Sequence, residues 1–237
     1  MIKRLIILLF LASVSYTSQS QILISLLFGD KLNSPGVEFG LEGGLTYASI
    51  SGFETSNYVG DFYLGFYFDI RLEEPKWWLS TGLILKNSLG VDKLTATDLV
   101  FLKTDTFPEE GDYSQRIKYY QLPVSLKYRF KSSIYVEMGF QAALRRRATF
   151  VQFDSNIDGQ ERKIRTSNKD DVNPVDFGGL IGVGYTFFKG SGLTFALKYY
   201  YGFTNVYKGI DGRRNSAFYV QFNVPIGAGK KNIKQNE

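Results

Sequence analysis

The stretch Ile117–Phe130, IKYYQLPVSLKYRF, decides the fold of this chain. From Tyr120 onward every second residue is large and apolar: Tyr120, Leu122, Val124, Leu126, Tyr128 and Phe130. Gln121, Pro123, Ser125, Lys127 and Arg129 stand between them. A period of two gives a strand with one oily face and one polar face. The oily face runs eleven residues. At roughly 3.3 Å per residue and about 45° of tilt it covers roughly 25 Å along a membrane normal. That is the height of the lipid-facing band of an outer-membrane barrel.

The same pattern recurs seven more times, over Val37–Tyr47, Gly60–Ile70, Trp77–Lys86, Ile134–Leu144, Phe177–Phe187, Leu193–Phe203 and Ser216–Ile226. The connections alternate in length. Leu72–Lys76, Lys131–Ser133 and Phe188–Gly192 are short, whereas Asn87–Gln115, Thr149–Asn173 and Thr204–Asn215 are long. Short turns on one side and long loops on the other are the outer-membrane pattern. The expected fold is all-β: an eight-stranded antiparallel up-and-down transmembrane β-barrel, over residues 36–227. An even strand count puts both termini on the short-turn, periplasmic side.

Periodicity does not say which face points inward. A soluble lipocalin-like barrel would bury the oily face around a ligand. Three features favour the inverted arrangement. Glycine is concentrated on the polar face, where a narrow interior needs small residues beside long ones. Loop lengths are asymmetric. Aromatic residues collect at both ends of the strands and form two girdles. Tyr47, Phe62, Tyr120, Phe177, Tyr201, Phe203 and Phe218 ring the outer rim, and Trp77, Tyr128, Phe130, Tyr185 and Phe187 the periplasmic rim.

In this arrangement the lumen receives Glu38, Glu42, Asp69, Arg71, Lys86, Lys127, Arg129, Glu137, Arg145, Asp176 and Lys198. Eight strands leave room for side chains and not for a wide channel. Buried charges must pair and hydrogen-bond. A salt-bridge network filling the barrel is expected, with a proton or small-ion path as the sharper alternative. Pro123 cannot donate to a ladder, so a bulge or an inward carbonyl met by water is expected there.

Composition removes several functions. The 237 residues include no Cys and no His. No disulfide or thiolate metal site is available, and the commonest general base is missing. Outer-membrane barrel enzymes such as palmitoyl transferases, lipid A deacylases, phospholipases and omptin proteases rely on His, so an enzyme of these kinds is not expected. No cofactor is expected. Net charge is +5, of which Lys3 and Arg4 supply two. The remainder is too small to argue for nucleic acid.

Lys3 and Arg4 precede the apolar run Leu5–Val14 and a polar stretch with Ser18 and Ser20. Residues 1–20 read as a secretory signal peptide, with an uncleaved anchor as the alternative. Residues 21–35 form a periplasmic segment, in which Ile22–Phe28 packs against the domain or docks a partner. Residues 228–237 are a polar tail.

Asp154–Gly159 resembles the first half of a calcium loop, but Arg165 stands where the bidentate Glu is needed, so an Asp-Gly turn is expected. Arg145–Arg147, with Arg162, Lys163 and Arg165, form a basic outer segment. Arg146 is expected to face outward just above the oily band, against lipopolysaccharide phosphates or water. Asp92, Asp98, Asp105, Glu109, Glu110 and Asp112 make the preceding long loop acidic.

Gln121–Tyr128, QLPVSLKY, resembles the (E/Q)-(I/L)-P-x-x-L-K-Y strand of the PorT-like outer-membrane β-barrel family. The resemblance covers roughly Val37 to Ile226. It implies an eight-stranded barrel in a Gram-negative outer membrane, and the matching residues are structural. The family takes its name from a component of type IX secretion, yet most members have no assigned role. The expected partners are outer-membrane lipid and lipopolysaccharide, with an envelope protein as a further one. The expected function is a scaffold or surface-interaction module. The alternatives are an accessory subunit of a secretion or envelope machine, and a soluble ligand-binding barrel.

Overall fold

The computed structural model describes residues 36–55, 57–157, 159–187 and 192–226. The expected signal peptide, the 21–35 segment and the tail lie outside the described residues. Nine strands and one short helix follow in order: β1 Val37–Ile50, β2 Val59–Arg71, β3 Trp77–Val91, α1 Ala96–Phe101, β4 Asp112–Arg129, β5 Ile134–Ile157, β6 Gln160–Ser167, β7 Val175–Thr186, β8 Thr194–Gly202 and β9 Asn215–Pro225.

All strand pairings are antiparallel. The sheet runs β4-β3-β2-β1-β9-β8-β7-β5, and β4 also pairs with β5, which closes a ring of eight. β6 stands outside the ring. It pairs only with the far half of β5, from Phe150↔Ser167 to Ile157↔Gln160. Closure removes the free edges that a sheet would otherwise expose.

The oily faces point outward. Leu64, Val124 and Leu197 are 46%, 41% and 49% exposed, whereas Lys127 and Glu137 on the opposite faces are 2% and 4% exposed. A soluble barrel built around a hydrophobic ligand has the reverse arrangement, so that alternative falls. The described residues include no helix long and apolar enough to cross a bilayer. Crossing falls to the strands, which the closed ring pairs on both sides apart from local bulges.

Pro123 pairs with Gln141 of β5 in unbroken register. Toward β3 the ladder skips from Thr81↔Val124 to Ile84↔Gln121. The missing N–H therefore costs ladder contacts without shifting the strands. Instead of water, the Thr81 hydroxyl donates to the Pro123 carbonyl at 3.0 Å.

The strands outrun the oily band on one side. β3, β4 and β5 continue to Val91, Asp112 and Ile157, through segments that periodicity assigned to loops. Their far halves pack with α1 around Leu89, Val91, Leu99, Val151, Phe153 and Tyr207, which form one buried cluster with Tyr63, Leu180 and Tyr219 of the lumen. We call this part the crown. Thr95 caps α1 through a reciprocal bond with Asp98. The Asp98 carboxylate also accepts from the backbone N–H of Glu54 and Thr55, tying the β1–β2 connection to the helix. Arg213 lies over the rings of Phe53 and Phe101 at 4.2 and 4.0 Å.

Candidate functional site: a plugged lumen and a basic outer rim

The lumen is filled in layers. Near the short-turn end, Asp69 of β2 accepts from Lys127 Nζ at 2.7 Å and from Arg129 Nη2 at 2.6 Å, both from β4. Arg129 also lies 3.7 Å from Glu38, which accepts from the Tyr67 hydroxyl at 2.8 Å. The two cations are backed by rings, Lys127 over Tyr135 at 4.6 Å and Arg129 over Trp78 at 4.0 Å.

A second pair joins Glu137 of β5 to Lys198 of β8 at 2.8 Å, with the Ser125 hydroxyl donating to Glu137 at 2.9 Å. Lys127 and Glu137 are direct cross-strand neighbours, yet neither pairs with the other. Each reaches past one intervening strand. Gly182 of β7 lies in register between Glu137 and Lys198. A Cβ there would come within 2.9 Å of Lys198 Cγ and 3.0 Å of Glu137 Oε1. The glycine makes the space in which the pair forms.

Higher up, Glu42 accepts from Gln221 at 3.0 Å. Asp176 has no cation partner among the described residues; it accepts from Tyr200, Thr204 and Asn215. Arg145 points inward near the crown end of the lumen, half-buried and without an ion pair among the described residues. Six buried tyrosines, Tyr63, Tyr67, Tyr119, Tyr135, Tyr200 and Tyr219, take up most of the remaining space. Their phenols stand on the polar face at the same period of two, a signal that charge counting overlooks. Between Glu42, Tyr63, Lys198 and Tyr219 the cavity is about 10 Å³, room for about one water.

Two residues expected in the lumen lie outside it. Lys86 faces outward, because β3 carries a bulge: Ile84 pairs with Gln121 but Asn87 pairs with Tyr119. The extra residue turns Lys86 onto the lipid side, where its ammonium lies over Phe62 at 5.1 Å. Arg71 ends β2 beside the turn and is exposed, below the layer of ion pairs.

The expected girdle residues all lie on the outward face. Trp77–Tyr128, Tyr128–Phe130 and Tyr185–Phe187 are in contact at 4.8, 4.9 and 5.0 Å toward the short-turn end. Tyr47, Phe62, Tyr120, Phe177, Tyr201, Phe203 and Phe218 lie toward the crown, with Phe177 against Phe203 at 6.1 Å.

In the crown, the acidic and basic loops meet at Glu109–Arg162, 2.6 Å apart. The calcium-like segment is a hairpin, with Gly159 at φ +81° and Asp154 accepting from Gln152. A left-handed φ is what a glycine at this turn supplies.

The sequence matches the family model described as "Outer membrane protein beta-barrel domain" over residues 19–208. The chain belongs to this outer-membrane β-barrel family. No curated protein matches it. Solved structures that resemble this outer-membrane barrel include Ail, the attachment invasion locus protein of Yersinia pestis, at 12% identity over 81% of this chain and 99% of that one, with a TM-score of 0.43. Neisserial surface protein A follows at 13% identity over 80% and 98%, with a TM-score of 0.42. OprG from Pseudomonas aeruginosa has 14% identity over 80% and 93%, with a TM-score of 0.38.

Proposed function

We propose that this outer-membrane barrel is a non-enzymatic surface-interaction module: a plugged wall in the membrane that holds up a rigid crown. The observation that carries this reading is the packed interior of the crown, which continues the buried cluster of the lumen. Long connections with no task need no packed interior, yet here β3–β6 and α1 close around Leu89, Leu99, Val151 and Phe153. The lumen supports the same reading, since ion pairs and tyrosines occupy it and leave no wide passage. The absence of His from the whole sequence argues against the usual hydrolytic chemistry of such barrels.

The test uses the lack of native cysteine. Glu161→Cys on β6 and Glu73→Cys in the β2–β3 turn are both exposed. A membrane-impermeant maleimide applied to intact cells is expected to label the first, and the second only after permeabilisation. The opposite pattern would put the crown in the periplasm and end the surface reading. The QLPVSLKY segment gives no separate support for a secretion role, because its side chains build the wall: Gln121 bonds Asn87 and Tyr219 inside, while Leu122, Val124 and Leu126 face outward.

A further inference from the structure

Two bulges flank β4 at one height. On the β3 side, the step from Ile84↔Gln121 to Asn87↔Tyr119 inserts one residue. On the β5 side, the step from Ile117↔Thr149 to Tyr119↔Arg145 inserts two. Bulges re-aim side chains, and the one in β3 turns Lys86 onto the outer wall, where alternation from Leu144 already places Arg146. Lys86 lies over Phe62, and Arg146 lies over Tyr120 at 4.8 Å. Between them β4 presents Lys118, whose ammonium is 5.9 Å from the Phe150 ring, and Arg116, which donates to the Gly60 carbonyl. None of the four has a carboxylate within 4.0 Å among the described residues.

Lys127, Arg129 and Lys198 in the lumen and Arg162 and Lys163 in the crown each have a carboxylate partner. Four unneutralised cations stand on three adjacent strands, directly above the aromatic rim of the oily wall. Adjacent strands lie about 4.8 Å apart, so the group spans roughly 10 Å. A single phosphate does not reach across that width. The aromatic bases hold the cationic heads at the wet–oily boundary, where a lipid headgroup sits.

We infer that Lys86, Arg116, Lys118 and Arg146 form a binding site for a glycolipid carrying phosphates on two sugars, seated against the outer wall with its acyl chains over Phe62, Leu122 and Tyr120. Arg146 offers a forked pair of donors to one phosphate, and Lys86 and Lys118 act as point charges on the other. The site rests on the crown-outward reading, which the cysteine labelling tests separately.

The experiment is lipid retention by the full chain in dodecyl maltoside, read by native mass spectrometry with bis-phosphorylated lipid A as the probe. Wild type is expected to keep lipid A and to shed phosphatidylglycerol. Each cation near a phosphate surface is worth about fivefold in binding, so K86Q/K118Q/R146Q is expected to lose about a hundredfold. R162Q/K163Q in the crown is expected to bind as wild type. If the triple variant does not fold, R146Q alone carries the test, with a loss of about fivefold. Wild-type retention by the cluster variant would overturn the site. Equal retention of phosphatidylglycerol would reduce it to general anion adhesion. Displacement of lipid A by about 10 mM inorganic phosphate would make it a free-phosphate site, and would also overturn the proposal.

Discussion

Removing Lys198 tests the lumen most directly. Its ammonium lies 2.8 Å from Glu137, with both side chains nearly fully enclosed. At an effective dielectric constant of about 20, that separation is worth roughly 6 kcal/mol of Coulomb attraction, offset by the cost of dehydrating both ions. Lys198→Met removes the attraction and leaves Glu137 buried, with the Ser125 hydroxyl as its remaining hydrogen bond. The expected cost is about 3–5 kcal/mol. Adding Glu137→Gln removes the stranded charge, so the double variant is expected to recover at least about 2 kcal/mol. The assay is urea unfolding in phospholipid vesicles. It is followed by the fluorescence of Trp77 and Trp78, the two tryptophans of the chain. Trp78 lies under Arg129 and so reports on the charged layer itself. If the two substitutions add to within about 0.5 kcal/mol, the ions do not act as a pair and the account of the lumen is wrong.

Three further outcomes are expected. Gly182→Ala places a methyl group between Lys198 and Glu137 and is expected to cost about 1–3 kcal/mol in the same unfolding assay; a neutral result would show that the pair does not need this space. Leu99→Ala empties part of the crown core at a cost of about 2–4 kcal/mol. Trypsin should then cut near Lys93 or Lys103 while the membrane-embedded wall resists; loss of the wall as well would show that crown and barrel are one cooperative unit. In planar bilayers the purified barrel is expected to give no steady ohmic steps of the size wide porins give, and such steps would refute a plugged lumen.

Much of the wall was legible in the sequence because alternation is a local signal. Leu122, Val124 and Leu126 face lipid for the reason that Gln121, Ser125 and Lys127 do not. Lys86 shows where this reasoning stops. One added residue reverses the facing of everything beyond it, and no composition rule marks Leu85–Lys86 as the place. Crown and loop could not be told apart either. Beyond the oily band, Thr149–Phe153 of β5 is buried on both faces, so the two-residue alternation lapses and the stretch reads as a connection. Thr95 and Asp98 did carry a helix-start signal, at capping-box spacing. The ion-pair partners were out of reach altogether. Asp69 and Lys127 are fifty-eight residues apart, and the natural error would have been to pair Glu137 with Lys127, its cross-strand neighbour, instead of Lys198.

The charged layer also bears on assembly. Asp69, Lys127, Glu137 and Lys198 come from four different strands, β2, β4, β5 and β8. A sheet entering the bilayer with β2 parted from β4, or β5 from β8, would drag bare ions into hydrocarbon, at several kcal/mol each. Each pair closes over one intervening strand, Asp69–Lys127 over β3 and Glu137–Lys198 over β7, so neutrality arrives in two three-strand units before the ring shuts. The ions thereby penalise a wrong strand order within each of these units.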